Sequence, residues 1–124
     1  MTTNTLIKNI NLVNEGQIIL ADVLIENGFI AKIGQAIDSH NALVIDGSGK
    51  FLLPGIIDGQ VHFREPGLTH KGDLYTESKA AIAGGVTSFI DMPNTLPNVL
   101  TMDILAEKNR IAAQQSLANY SFFL

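Results

Sequence analysis

Residues 54–67 read Pro54-Gly55-Ile56-Ile57-Asp58-Gly59-Gln60-Val61-His62-Phe63-Arg64-Glu65-Pro66-Gly67. The span Leu52–Phe63 is an apolar stretch interrupted by polar residues at alternate positions, a pattern that predicts a β-strand. Side chains alternate faces along a strand. Asp58, Gln60, His62 and Arg64 are therefore expected on one face, and Ile57, Val61 and Phe63 on the other. In a parallel barrel the outer face packs on helices and is apolar, while polar groups near a strand's C-terminal end face the site of chemistry. Coordinating side chains at i and i+2 start about 6–7 Å apart and can converge on one ion. The pattern permits a metal site.

Downstream, Asp73 is placed to cap a helix that Gly84-Gly85 stops. Val86–Ile90 reads as a buried strand, followed by the loop Met92-Pro93-Asn94-Thr95-Leu96-Pro97. Thr101 caps a second helix running to about Leu117, with Ile104, Leu105, Ile111 and Ala112 sharing one face. Tyr120–Leu124 begins a further apolar strand. Strand–helix–strand–helix–strand over residues 53–124 predicts an α/β fold with a parallel sheet. A (β/α)8 barrel of the TIM type usually needs about 250 residues. Two βα units and the opening of a third fit here, so the barrel is expected to be incomplete in this chain.

Upstream, residues 1–52 read as short strands joined by tight turns. Leu6–Val13 is one candidate, closed by Asn14-Glu15-Gly16; Ala21–Glu26 and Phe29–Ile33 flank Asn27-Gly28, a strong hairpin signal. Ala42–Asp46 adds another strand before Gly47-Ser48-Gly49. This segment is expected to form a small all-β unit.

With 124 residues, 46% of them hydrophobic, 16% charged and a net charge of −4, the chain has no clustered Lys and Arg for a nucleic-acid partner. No signal-peptide pattern opens it, and no apolar run approaches the roughly 20 residues that cross a bilayer, so a cytoplasmic protein is expected. Cysteine is absent, which leaves His, Asp, Glu or a modified Lys as ligands, and the histidines number three: His40, His62 and His70. Taken singly, His62 reads as an ordinary hydrogen-bonded histidine, Arg64 as a solvated cation and Asn94, behind Pro93, as a turn former. Asp58 reads as structural or ligand-orienting, and Glu65 as a local hydrogen-bond acceptor.

Together the motifs say more. Pro54-Gly55-Ile56-Ile57-Asp58 with His62-x-Arg64-Glu65-Pro66-Gly67 resembles the first-strand motif of dihydroorotases, in the amidohydrolase superfamily. Met92-Pro93-Asn94-Thr95-x-Pro97 is similar to the family's second-strand loop, and Ala83-Gly84-Gly85-Val86-Thr87 also matches. The β-rich segment resembles the small β-sandwich that precedes the barrel in these enzymes. The resemblance implies a metal ligand at His62, a grip on the substrate carboxylate at Arg64, and a substrate hydrogen bond from Asn94. It implies one or two zinc ions and reversible interconversion of dihydroorotate and N-carbamoyl-L-aspartate in pyrimidine biosynthesis, by metal-activated hydroxide. The family pattern is His-x-His, and Gln60 occupies its first position, where an amide oxygen is a weaker donor to zinc. No catalytic group is assigned here, because the family's remaining ligands and its catalytic Asp lie on later strands. The isolated chain is accordingly expected to be inactive. Self-association is expected from unpaired strand edges, so a homo-oligomer is the expectation. The alternatives are another cyclic amidohydrolase, of allantoinase or hydantoinase type, and a non-catalytic scaffold subunit for a partner such as aspartate transcarbamoylase.

Overall fold

A computed structural model describes residues 4–124. The chain divides into two compact units, one ending at Pro54 and the other spanning Gly55–Leu124.

The N-terminal unit is one five-stranded sheet. β1 (Asn4–Asn14), β2 (Gln17–Glu26), β3 (Phe29–Gly34) and β4 (Ala42–Asp46) lie in the order β3-β2-β1-β4, and the short β5 (Phe51–Leu52) pairs with β1. Antiparallel pairing joins β1 to β2 and β2 to β3, while β4 and β5 run parallel to β1. Both hairpins turn as their residues dictate: Glu15 and Gly16 have φ of 48° and 74°, Asn27 and Gly28 have φ of 52° and 82°. Those are the positive values that a two-residue type I′ turn requires. The sandwich expected from sequence is represented by a single sheet, one layer of such an arrangement. Leu6, Leu24 and Ile37 form its core with Ala42 against them.

A bulge interrupts β1. Ile7 pairs with Val23 and Ile10 with Ala21, so Lys8 and Asn9 oppose Asp22 alone. Asn9 takes a positive φ of 57°. Its freed N–H donates to Asp22 Oδ1 at 2.9 Å, and Ile37 N–H donates to Oδ2 at 3.0 Å. The buried Asp22 carboxylate thus satisfies one backbone donor that the irregular ladder leaves over and one from the segment after β3.

The C-terminal unit is a parallel sheet in the order β6 (Ile56–Val61), β7 (Val86–Asp91), β8 (Asn119–Phe122), with α1 (Leu74–Ala83) and α2 (Met102–Gln115) in the connections. It is the opening of a (β/α)8 barrel. Asp73 caps α1 by accepting Thr76 N–H at 2.7 Å, and Thr101 caps α2 by accepting from Ile104 N–H. Phe63, Leu74, Phe89, Ala112 and Ala118 make the core, extended by Val61, Ile111, Tyr120 and Phe122. The Phe63 and Phe89 rings sit 4.5 Å apart, tilted by 47°. Buried Ser78 accepts Leu117 N–H at 3.1 Å, tying α1 to the segment after α2. Among the described residues no helix is long and apolar enough to cross a membrane.

The Asp22 carboxyl is held below the ordinary carboxylate range, chiefly by the Asn9 N–H, against the upward push of burial, with Ile37 N–H and the Lys8 charge helping. A carboxyl with a lowered folded pKa adds stability above its unfolded value of about 3.9, and that stability is lost as pH falls through the folded value. Asp22→Asn should therefore destabilise the protein at pH 7 and differ less and less from wild type as the pH is taken below the ordinary carboxylate range into strong acid. Urea denaturation at pH 7 and in strong acid checks this; an equal difference at each would reject it.

Candidate functional site

The candidate residues gather where β6 and β7 end. β6 is not regular: Asp58 pairs with Phe89 and Val61 with Asp91, so three steps on β6 span two on β7. The Asp58 carboxylate takes the Gln60 N–H at 3.0 Å inside this bulge. The unbroken polar row expected from sequence is therefore interrupted at Gly59-Gln60, because strict alternation assumes a regular ladder. Val61 and Phe63 enter the core as expected, whereas Ile57 is 71% exposed. The strand ends at Val61, which places His62 and Arg64 on the segment that leaves it.

His62 is held from both sides. Val61 C=O accepts Met92 N–H at 3.0 Å, and Phe63 N–H donates to Asp91 Oδ1 at 2.9 Å. Those two bonds bracket His62 and tie it to the end of β7. Its side chain is exposed, with Nδ1 3.0 Å from Asn94 Oδ1. The amide oxygen only accepts, so in a neutral imidazole this contact calls for the proton on Nδ1 and leaves the lone pair on Nε2. That is the tautomer in which an imidazole can ligate a metal through Nε2. Asn94 retains its Nδ2 hydrogens for a second acceptor.

Beneath them lies a pair that sequence reasoning passed over. Lys108 and Asp91 side chains are 0% and 1% exposed, with Nζ 2.8 Å from Oδ2. Among the described residues Oδ2 has no hydrogen-bond partner, so the ammonium is the contact that offsets its charge. Nζ also donates to Met92 C=O at 3.1 Å and lies 4.7 Å from the centre of the Phe122 ring. The signal was present: Lys108 stands between Leu105 and Ile111 in the apolar stripe of α2, where a charge demands a buried partner.

Arg64 has a φ of 69°, a left-handed value that costs a non-glycine residue roughly 1–2 kcal/mol. Its side chain is half-buried, and among the described residues no carboxylate pairs with its guanidinium. Glu65 accepts Leu74 N–H at 2.8 Å, so it caps α1 as a local acceptor. The loops bearing Arg64 and Asn94 interlock: Leu96 N–H donates to Pro66 C=O at 3.1 Å, and a Cβ on Gly67 would run into the Leu96 carbonyl oxygen. The Glu65-Pro66 and Leu96-Pro97 peptides are cis. Inside the second loop, Thr95 Oγ1 donates to Pro97 C=O at 2.8 Å.

The structure thus brings His62 and Asn94 together and sets Arg64 on the adjoining turn, while Gln60 lies in the bulge. His40 is exposed beside Asp38, 3.7 Å away, and His70 is exposed on the loop before α1. Among the described residues no three His, Asp or Glu side chains cluster as a metal site. A metal would find one well-prepared nitrogen here, His62 Nε2.

Comparison with known proteins finds the amidohydrolase family profile matching residues 51–123. A dihydroorotase of Carboxydothermus hydrogenoformans is 52% identical over 94 residues, covering 74% of this chain and 22% of its own length. A dihydroorotase of Methanosarcina acetivorans is 42% identical over 115 residues, covering 92% of this chain and 25% of its own. Among solved structures, an L-hydantoinase (dihydropyrimidinase) of Arthrobacter aurescens superposes with a TM-score of 0.90 at 32% identity, over 98% of this chain and 27% of that one. The chain spans about a quarter of the length of these relatives.

Gly67 has a φ of 83° and no room for a side chain against Leu96. Gly67→Ala should cost more than about 1 kcal/mol, because both the backbone and the neighbouring loop resist the added methyl. Chemical denaturation of the whole protein measures it, and a neutral effect would show the two loops to be independent.

Proposed function

Because the chain belongs to the amidohydrolase family, we propose that the whole protein is a dihydroorotase, opening and closing the cyclic amide of dihydroorotate in pyrimidine biosynthesis. The observation that carries this reading is the pairing of His62 with Asn94 beside an Arg64 guanidinium that has no carboxylate partner among the described residues. The substrate brings a carboxylate, and a planar guanidinium is suited to hold one through two parallel hydrogen bonds. Dihydroorotases are also the relatives with 42–52% identity, against 32% for the hydantoinase structure.

In this reading His62 would supply Nε2 to zinc, and Asn94 Oδ1 would hold that tautomer by accepting a hydrogen bond from Nδ1–H. When bound, the metal supplies Lewis-acid polarisation of the ring amide and activation of water. Arg64 holds the substrate carboxylate and Asn94 Nδ2 donates a further hydrogen bond to the substrate. Gln60 stands at the position of a second ligand, where its amide oxygen gives a weaker hold on zinc than imidazole. Hydrolysis adds water across the ring C–N bond, leaving the carbonyl carbon as a carboxyl group and the nitrogen within the carbamoyl group. The whole protein's remaining ligands come from beyond these two βα units, and its working form is a homo-oligomer.

A hydantoinase-type specificity is the second reading, favoured by the solved structure at a TM-score of 0.90. Turnover of dihydroorotate, hydantoin and allantoin by the purified whole protein separates the two. Dihydroorotate alone should be turned over; turnover of hydantoin alone would replace the proposal, and no turnover would favour a scaffold subunit.

Two variants probe the residues. Arg64→Lys should raise KM for dihydroorotate about tenfold or more, the worth of a charge-assisted hydrogen-bond pair; an unchanged KM removes Arg64 from the carboxylate site. Gln60→His should tighten zinc binding in competition calorimetry. Equal or weaker affinity would remove Gln60 from the ligand set.

A further inference from the structure

We propose that the buried Asp91–Lys108 pair is the positioning device for His62 and Asn94, acting through the backbone on either side of the site; the inference rests on the reading of those two residues given above. With side chains 0% and 1% exposed, the pair is a positioning element and not a catalytic one. Its two hydrogen bonds beyond the ion pair go to main chain that carries the site. Asp91 Oδ1 takes the N–H of Phe63, the residue after His62. Lys108 Nζ donates to the carbonyl of Met92, two residues before Asn94. Met92 N–H in turn donates to Val61 C=O, the residue before His62. A closed circuit results, running Asp91, Phe63, His62, Val61, Met92, Lys108 and back to Asp91.

A structural pair could have been apolar at lower cost, because burying two charges demands desolvation of both. Phe89, Leu74 and Ala112 show that the surrounding layer accepts apolar side chains. What an apolar pair cannot do is accept from Phe63 N–H and donate to Met92 C=O at the same time. Those two bonds fix the spacing between the segments that carry His62 and Asn94, and the 3.0 Å contact between their side chains depends on that spacing.

The test compares two double variants of the whole protein, both without the charges. Asp91→Asn with Lys108→Gln keeps an acceptor for Phe63 and a donor for Met92. Asp91→Leu with Lys108→Met keeps only the volume. The readout is the imidazole 15N spectrum of His62 in metal-free protein, assigned by its loss in His62→Gln. A held Nδ1–H tautomer gives two well-separated ring nitrogen resonances, and a freed ring gives averaged ones. We expect the polar pair to retain separated resonances and the apolar pair to average them and weaken zinc affinity about tenfold or more. Separated resonances in a folded Leu/Met variant would overturn the proposal. Should that variant not fold, Asp91→Asn with Lys108→Met, which gives up only the Met92 bond, makes the same comparison: averaging supports the device and a native spectrum overturns it. Failure of the dihydroorotase reading shows instead as absent turnover with the His62 spectra behaving as expected.

Discussion

The C-terminal unit is organised around one buried ion pair. Asp91 closes β7 and Lys108 comes from the middle of α2, and their contact at 2.8 Å lies under the strand ends where the candidate site sits. Removing either partner alone would strand a charge in the core, a change that costs about 3–5 kcal/mol in comparable cases. The pair is also tied to its surroundings, with Phe63 N–H on Oδ1 and with Met92 C=O and the Phe122 ring against the ammonium. Strand, helix and loop are therefore fixed relative to one another by chemistry that tolerates little displacement. The aromatic run Phe63, Phe89, Tyr120 and Phe122 fills the layer beside it.

Local signals explain why most of the architecture was legible in advance. Asn27-Gly28 is a hairpin turn because both residues tolerate positive φ, and Asp73 and Thr101 cap helices because their short oxygens reach the first free N–H groups. Each of these depends on neighbours within a few residues. Asp22 and Lys108 depend instead on partners 13 to 17 positions away, Asn9 and Ile37 for the first and Asp91 for the second. A charge among apolar neighbours announces that a partner exists, but sequence spacing does not say which. The same limit hides the two bulges. Nothing in the alternation of Leu6–Val13 or Leu52–Phe63 marks where an extra residue enters the ladder.

The site was legible as a set of residues and less so as a geometry. His62, Arg64 and Asn94 were singled out from motif spacing, and the structure sets His62 against Asn94. The expected ladder from Asp58 to Arg64 does not exist as a continuous face, because the Asp58 carboxylate folds back on Gln60 N–H and Arg64 lies beyond the strand in a left-handed turn. Motif matching was indifferent to this, since it compares order along the chain and not direction in space. Glu65 followed the plainer reading, spending its carboxylate on the first turn of α1.

The nesting of Gly67 under Leu96 has a bearing on how such a site could be redesigned. Two loops that share a hydrogen bond and leave no room for a methyl between them behave as one part. Grafting a foreign sequence into the turn after β6 alone, to retarget the cation that it carries, would bring a new backbone path against an unchanged carbonyl. Exchange of the 64–67 and 93–97 segments as a matched cassette keeps that fit. Lengthening either one by a single residue would break it.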